Sequence, residues 1–193
     1  MLQGKDKFEI VGRSLPCHKY GCMFRLVEPG DASFIYKLRT DSGLSRHVSS
    51  VSGKVEDQVK WIKDYKSREA NGNEFYLISV DPVTGSRQGV NRLYDFKDDS
   101  FELGSWLYLP NEDISKSILG DIFAKELGFE ALGFDFCTFN VRKVNLSVIR
   151  YHQGYQPDLV SHDELNLYFK LTRAQFNRNK IKYLKICGYG ENA

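Results

Sequence analysis

The chain has 193 residues, with 41% hydrophobic and 27% charged side chains, which fits one globular domain and excludes disordered and repeat proteins. Its 27 Lys and Arg against 25 Asp and Glu give a net charge of +2, too small to predict nucleic-acid binding as the main function. No apolar run approaches the ~20 residues of a membrane span, and the N-terminus lacks an apolar signal segment. We therefore expect a cytoplasmic protein that binds neither nucleic acid nor a membrane.

The cysteines, and the absence of common catalytic motifs, exclude several classes of reaction. The four cysteines are expected to be reduced thiols, because no secretion signal is evident. Cys17, His18 and Cys22 lack the second ligand pair that a zinc site requires, so no metal is predicted. The sequence contains no nucleophile-elbow, P-loop or dinucleotide-binding motif. Function must therefore be inferred from the order of the predicted elements.

The N-terminal part predicts a strand followed by two helices. Residues 1–19 have one short apolar patch and are predicted to form a loose extension or an edge strand. A strand follows over 20–27, and Asp31 caps the first helix. After a Ser- and Gly-rich loop over 40–53, apolar residues recur at helical spacing from Val55 onwards and predict the second helix.

The middle of the chain predicts most of a sheet. Apolar runs at 75–80, 90–96 and 101–109, separated by turn sequences, predict an antiparallel meander. A helix over 114–127 and a continuous apolar run over 131–139 follow, and the run predicts a central strand buried on both faces. This strand–helix–strand order predicts one parallel pairing within a mixed sheet.

The C-terminal part predicts a short helix over 144–152 and a last strand over 165–171. Five basic residues and no acidic one lie between positions 173 and 185. Two interpretations stay open for this basic segment: the solvated face of a helix, or a face that attracts phosphate or contacts another subunit.

Five segments carry a family resemblance. They are 24–32 (FRLVEPGDA), 81–89 (DPVTGSRQG), 102–107 (ELGSWL), 124–129 (AKELGF) and 145–152 (NLSVIRYH). In order and spacing they resemble the GNAT N-acetyltransferases, in the branch that includes ribosomal-protein and amino-sugar acetyltransferases, over about residues 21–172. The resemblance implies a mixed α/β fold with a mostly antiparallel central sheet and helices on both faces. The predicted division is an N-terminal extension (1–19), an acetyltransferase domain (20–172) and a basic C-terminal helix or tail (173–193).

The resemblance also implies acetyl-CoA as co-substrate, held where the fourth and fifth strands splay apart and leave backbone groups unpaired. Its pyrophosphate is expected at the N-terminus of the next helix, near Asp113, where free N–H groups and the helix dipole attract an anion. The predicted contacts are Trp106, Leu107 and Leu109 on the strand, Ser115, Lys116 and Ser117 on the helix, and Asn145.

The loop before this helix departs from the family pattern, which is glycine-rich so that the backbone can approach the phosphates. Residues 110–117 contain no glycine, and Glu112 and Asp113 repel phosphate, whereas Lys116 and the two serines attract it. A plain capped helix explains the same residues. A catalytically silent domain of this fold is therefore the alternative to an enzyme.

The resemblance also suggests the group that protonates the leaving thiolate. Many family members place a Tyr seven residues after the Asn of the fifth-strand motif. Counting from Asn145 leads to His152, with Tyr151 beside it, and either side chain is a candidate general acid. The alternative is that His152 only packs and Tyr151 turns inward.

Glu102 resembles the position that several relatives use as general base, with an exposed strand carboxylate as the alternative. Alternation along the strand predicts that Glu102, Gly104, Trp106 and Tyr108 share one face. Asp95 and His47 are the other candidates for this role.

The expected acceptor is a small-molecule amine, most specifically on a nucleotide-linked amino sugar. The predicted substrate contacts are Arg39, Arg46, His47 and Asp95, most of them in or beside the polar loop over 40–53. A protein N-terminus is the alternative acceptor. A homodimer is compatible with the sequence, which does not fix the oligomeric state.

Overall fold

The structure is a computed structural model that describes residues 2–44, 53–110 and 113–190. The helices are α1 (Gly4–Ser14), α2 (Ala32–Thr40), α3 (Val55–Ala70), α4 (Ile114–Glu126), α5 (Leu146–Gln153) and α6 (Arg173–Ile186). The strands are β1 (Cys17–Lys19), β2 (Cys22–Leu26), β3 (Phe75–Val80), β4 (Arg87–Tyr94), β5 (Ser100–Tyr108), β6 (Phe136–Arg142), β7 (Asp158–His162) and β8 (Asn166–Thr172). A 3-10 turn at Pro29–Asp31 leads into α2, and a π-helical turn at Leu127–Ala131 extends α4.

The eight strands form one sheet in the order β1-β2-β3-β4-β5-β6-β8-β7. Every neighbouring pair is antiparallel except β5 and β6, which are parallel because α4 crosses over between them. The predicted fold class, the meander and the single parallel pairing are confirmed.

Helices cover both faces of the sheet. On one face α1, α4, α5 and α6 contribute Val11, Ile122, Ile149 and Phe176 to the larger apolar core. On the other face α2 and α3 form a smaller core around Tyr65, among other residues. Helices from both chain ends thus pack on the same core. The predicted division into an N-terminal extension, a domain over 20–172 and a C-terminal helix or tail stays a prediction.

The structure corrects two expectations about the elements in part and adds one strand that was not expected. Within residues 1–19, Gly4–Ser14 form α1 and not a loose extension, whereas the alternative of an edge strand holds for β1. Val11 is the one residue of this polar helix that is fully buried, so its apolar pattern is weak. The strand expected over 131–139 begins only at Phe136, and buried side chains alternate along it with more exposed and mostly polar ones, so it is not buried on both faces. The edge strand β7 was not predicted, since all its side chains are exposed and carry no apolar pattern.

Candidate active site

A cleft opens in the middle of the sheet, between β5 and β6. These strands pair only from Ser100 to Glu102 on β5, against Phe136 to Thr138 on β6, and then diverge. The resulting cleft has a volume of about 580 Å³ and is lined from both faces of the sheet. Beyond Glu102, the β6-facing backbone edge of β5 therefore has no strand partner within the described residues, as the resemblance implies.

A bulge in β5 reverses the side-chain alternation at the cleft. Gly104 pairs with Arg92 and Leu107 with Val90, so β5 has one extra residue there, and Ser105 has a φ of +50°. Trp106 consequently lies on the α4 face, where its indole Nε1 donates to the Ser117 carbonyl over 2.9 Å. The prediction that Trp106 and Tyr108 share a face with Glu102 is wrong, because period-2 counting does not allow for an inserted residue.

The predicted cofactor contacts on the strands and on α5 divide into two groups. Trp106, Leu107 and Asn145 line the cleft. The Asn145 side chain caps α5 by accepting from the Val148 N–H over 3.4 Å. Leu109 lies outside the cleft lining, and its N–H donates to the Gln88 carbonyl over 2.9 Å.

The N-terminus of α4 is already partly occupied by the protein's own groups. The Asp113 carboxylate accepts from the Ser115 N–H over 3.0 Å, and hydrogen bonds with the Ser115 side chain and then with this N–H lower the pKa of Asp113. The Ser117 hydroxyl donates to the Ile114 carbonyl over 2.8 Å. The Lys116 ammonium lies near Gly21 and Cys22. The described residues that line the cleft do not include Ser115, Lys116 or Ser117, and their contact with a cofactor stays a prediction.

A buried polar cluster lies under the α4 side of the cleft. Lys125 has no exposed surface and binds Asp121, whose Oδ2 also accepts from the Tyr151 hydroxyl over 2.5 Å. Asp121 and His152 line the cleft, and each has a buried polar atom without a hydrogen-bond partner among the described residues, Oδ1 and Nδ1 respectively.

Burial determines the protonation states of both candidate acids. It lowers the pKa of His152 well below its usual value, with a further contribution from the charge of Lys125. Burial, and then the neighbouring Asp121 charge, raises the pKa of Tyr151 well above its usual value. Both side chains are therefore neutral near pH 7; Tyr151 can give up its hydroxyl proton as it stands, whereas His152 acts as an acid only after it has gained a proton. The choice between them stays a prediction.

The other side of the cleft holds the predicted base. Glu102 is the last β5 residue paired with β6, and its Oε1 accepts from the Tyr94 hydroxyl over 2.6 Å and from Asn140 Nδ2 over 3.2 Å. Tyr94 and Asn140 line the cleft, which places this carboxylate at its edge. Its role as base stays a prediction.

The predicted substrate contacts lie in three different places. Arg39 lines the cleft from α2. Asp95 lies on an exposed turn outside the lining, with its carboxylate 3.1 Å from the Lys97 ammonium. Arg46 and His47 lie outside the described residues.

Sequence reasoning missed Asp121, Lys125, Arg92 and Tyr94, which all line the cleft or bind its lining. A signal for the first two was present: Asp121 interrupts the otherwise apolar run 118–124, and Lys125, four residues after it, follows that run directly. Such a pair more often marks the solvated face of a helix.

In the described part of the chain, no helix has the length and apolar character needed to cross a membrane. The same residues contain no group of three His, Cys, Asp or Glu side chains that could hold a metal ion.

Solved structures place the chain in a family, although no family model and no curated protein matches it. One similar structure, an apo form of FdhC described as a nucleotide-linked sugar GNAT, is 34% identical, with a TM-score of 0.78 over 88% of this chain and 96% of that one. The chain therefore belongs to the GNAT acetyltransferase family and is an acyltransferase of that type.

Two more distant structures share the fold. A ribosomal-protein-S5-alanine acetyltransferase from Vibrio fischeri is 11% identical, with a TM-score of 0.70 over 81% of this chain and 95% of that one. A spermidine N-acetyltransferase from Vibrio cholerae, in complex with CoA and spermine, is 13% identical, with a TM-score of 0.68 over 82% and 99% of the two chains.

Proposed function

We propose that this acyltransferase moves the acetyl group of acetyl-CoA directly to the primary amine of a nucleotide-linked amino sugar. The observation that carries the proposal is the parallel pair β5–β6, which opens after three residue pairs into a cleft lined from both faces. The 34% identity to a nucleotide-linked sugar GNAT supports the acceptor class.

The open backbone edge of β5 fits the amide-rich arm of acetyl-CoA. An unpaired strand edge offers N–H and C=O groups to a ligand's amides, as it would to another strand. The bulge at Ser105 turns Trp106 onto the α4 face and leaves the backbone from Ser105 to Leu107 bordering the cleft. The fit at the N-terminus of α4 is poorer, because Asp113 already accepts from the Ser115 N–H there.

The residues of the chain supply positioning and proton transfer. Acetyl-CoA brings an activated thioester; a carbon–nitrogen bond to the amine forms and the carbon–sulfur bond breaks. The amine gives up one proton to the Glu102 carboxylate, and the departing sulfur takes one from the Tyr151 hydroxyl or from His152 in its imidazolium form. No cysteine is among the described residues that line the cleft, which supports direct transfer over an acyl-cysteine route.

The cleft suits a hydroxyl-rich, phosphate-bearing acceptor. Its described lining includes Arg39, Arg142 and the amide side chains of Asn140, Asn145 and Asn166. Guanidinium groups bind phosphate through paired N–H donors, and amides bind sugar hydroxyls.

The test is a thiol-release assay with acetyl-CoA over nucleotide-linked 3-amino and 4-amino sugars, spermidine, aminoglycosides and peptides with a free N-terminus. We expect turnover of at least one nucleotide-linked amino sugar. The Glu102→Gln variant should lose about 10²–10⁴-fold in kcat. Glu164→Gln, at an exposed carboxylate, is the matched control. Turnover confined to peptides or polyamines would refute the acceptor class.

Binding of the donor is tested separately by unfolding. Acetyl-CoA at about 100 times its Kd should raise the free energy of unfolding by roughly 2.7 kcal/mol. Calorimetry that detects no binding at millimolar acetyl-CoA would contradict the proposed donor, whatever the acceptor.

A further inference from the structure

Tyr94 approaches β5 closely at Gly104, beside the cleft, because glycine has no side chain there. A Cβ atom at Gly104 would be 2.9 Å from the Tyr94 hydroxyl oxygen and 3.0 Å from its Cε1. Such distances are too short for ordinary packing, so the ring occupies space that any other residue at position 104 would need. Both residues line the cleft.

The Arg92 guanidinium holds the Tyr94 ring in place. The Arg92 guanidinium lies 4.7 Å from the Tyr94 ring centroid and 5.1 Å from that of Trp61. Arg92 Nε donates to the buried Glu74 carboxylate over 2.6 Å, which fixes the guanidinium. Contacts of this kind orient aromatic rings. Tyr94 is therefore a preformed surface of the cleft.

The hydroxyl of Tyr94 also fixes the predicted base. Both hydrogen bonds to Glu102 from described residues, those of Tyr94 and Asn140, end on Oε1. This arrangement leaves Oε2 for a ligand. An aromatic ring and a carboxylate joined by one hydrogen bond thus stand side by side at the cleft.

We propose that Tyr94 selects the acceptor: its ring packs against the C–H face of the amino-sugar ring and so places the amine at Glu102. The inference rests on the proposed function and names the residue that recognises the sugar. A pyranose has a face of C–H groups that can pack on an aromatic ring, whereas the ammonium groups of a linear polyamine would meet the Arg92 guanidinium that already lies at the Tyr94 ring. Tyr94 is thus a specificity-determining residue, and through its hydroxyl a positioning residue for Glu102.

The experiment separates the ring from the hydroxyl in steady-state kinetics with a nucleotide-linked amino sugar. Tyr94→Leu removes the ring and should raise the KM for the sugar about tenfold, with the KM for acetyl-CoA unchanged. Tyr94→Phe keeps the ring and should keep the KM for the sugar, while kcat falls because Glu102 loses one hydrogen bond. Tyr168→Leu, a tyrosine of β8 outside the cleft lining, is the control and should change neither constant.

A second variant keeps the experiment interpretable if Tyr94→Leu does not fold. Gly104→Ala should displace the ring and raise the KM for the sugar in the same direction as Tyr94→Leu. Thermal unfolding of every variant checks its fold, and calorimetry with the sugar alone measures binding without turnover. If the wild-type protein acetylates the sugar while folded Tyr94→Leu and Gly104→Ala keep its KM, this inference is wrong and the proposed function stands. If the wild-type protein turns over no amino sugar, the proposed function fails and the inference with it.

Discussion

Two buried carboxylates on opposite faces of the sheet differ in how completely the protein satisfies them. Glu74, 3% exposed, uses both oxygens: Arg68 binds Oε1 and Arg92 binds Oε2. Asp121, 1% exposed, receives Lys125 and Tyr151 on Oδ2 alone, and its Oδ1 has no partner within the described residues.

This difference indicates a structural role for the Glu74 cluster and a catalytic role for the Asp121 cluster. The Glu74 cluster is complete without a ligand, and it holds Arg92 against Tyr94. The Asp121 cluster leaves one acceptor unsatisfied beside the cleft, which costs stability that a purely structural site would avoid. We therefore expect the Asp121 side to supply the proton for the departing sulfur, and the Glu74 cluster to hold Arg92 and Tyr94 in place beside the predicted base.

The largest expected effect lies on the Asp121 side, in the choice of general acid. Tyr151→Phe removes the hydroxyl that donates to Asp121, and His152→Gln removes the imidazole. General acid catalysis contributes about 10²–10⁴-fold, so one variant should lose kcat by that order while the other changes little. The measurement is kcat with a confirmed amino-sugar acceptor and saturating acetyl-CoA.

Tyr168→Phe is the matched control for this pair, because its hydroxyl donates to Asp163 on an exposed surface. Full kcat in both Tyr151→Phe and His152→Gln would show that neither residue protonates the sulfur. The difference in hydrogen bonding between Glu74 and Asp121 would then be unrelated to catalysis.

The next effect concerns stability. Lys125→Met leaves the Asp121 charge buried without its cation, and breaking such a pair costs about 3–5 kcal/mol in the free energy of unfolding. The double variant Asp121→Asn/Lys125→Met removes both charges and should recover most of that loss. Urea denaturation measures both values.

An exposed pair provides the control for the buried one. Lys97→Met breaks the pair with Asp95, in which both side chains are more than half exposed, and should cost less than about 1 kcal/mol. Equal losses for Lys125→Met and Lys97→Met would contradict the buried ion pair.

The sequence predicted the fold better than the site, for physical reasons. Turn residues and apolar runs mark the meander and α4 locally, so these elements could be found without knowing their neighbours. The face of Trp106 depends on the extra residue at Ser105, which no period reveals. The contact between Tyr94 and Gly104 requires the register of two strands. The burial of Lys125 depends on α5 and α6 closing over α4, which only the folded chain determines.

The smallest predicted effect is a pH dependence that comes from His152. Burial, and then the charge of Lys125, holds the folded-state pKa of His152 well below its unfolded value of about 6.5. Between these two pKa values the unfolded chain binds the proton and the folded chain does not, so acidification favours unfolding. This group should therefore lower the free energy of unfolding as the pH falls below about 6.5, by at most about 1.4 kcal/mol per pH unit.

His152→Gln should flatten the dependence in that window, whereas His162→Gln, at an exposed position, should leave it as in the wild-type protein. Parallel curves for the wild-type protein and His152→Gln would mean that the imidazole is hydrated in the folded state. The Asp121 cluster would then be as open to water as the cleft itself. Only the number of hydrogen-bond partners would then distinguish it from the Glu74 cluster.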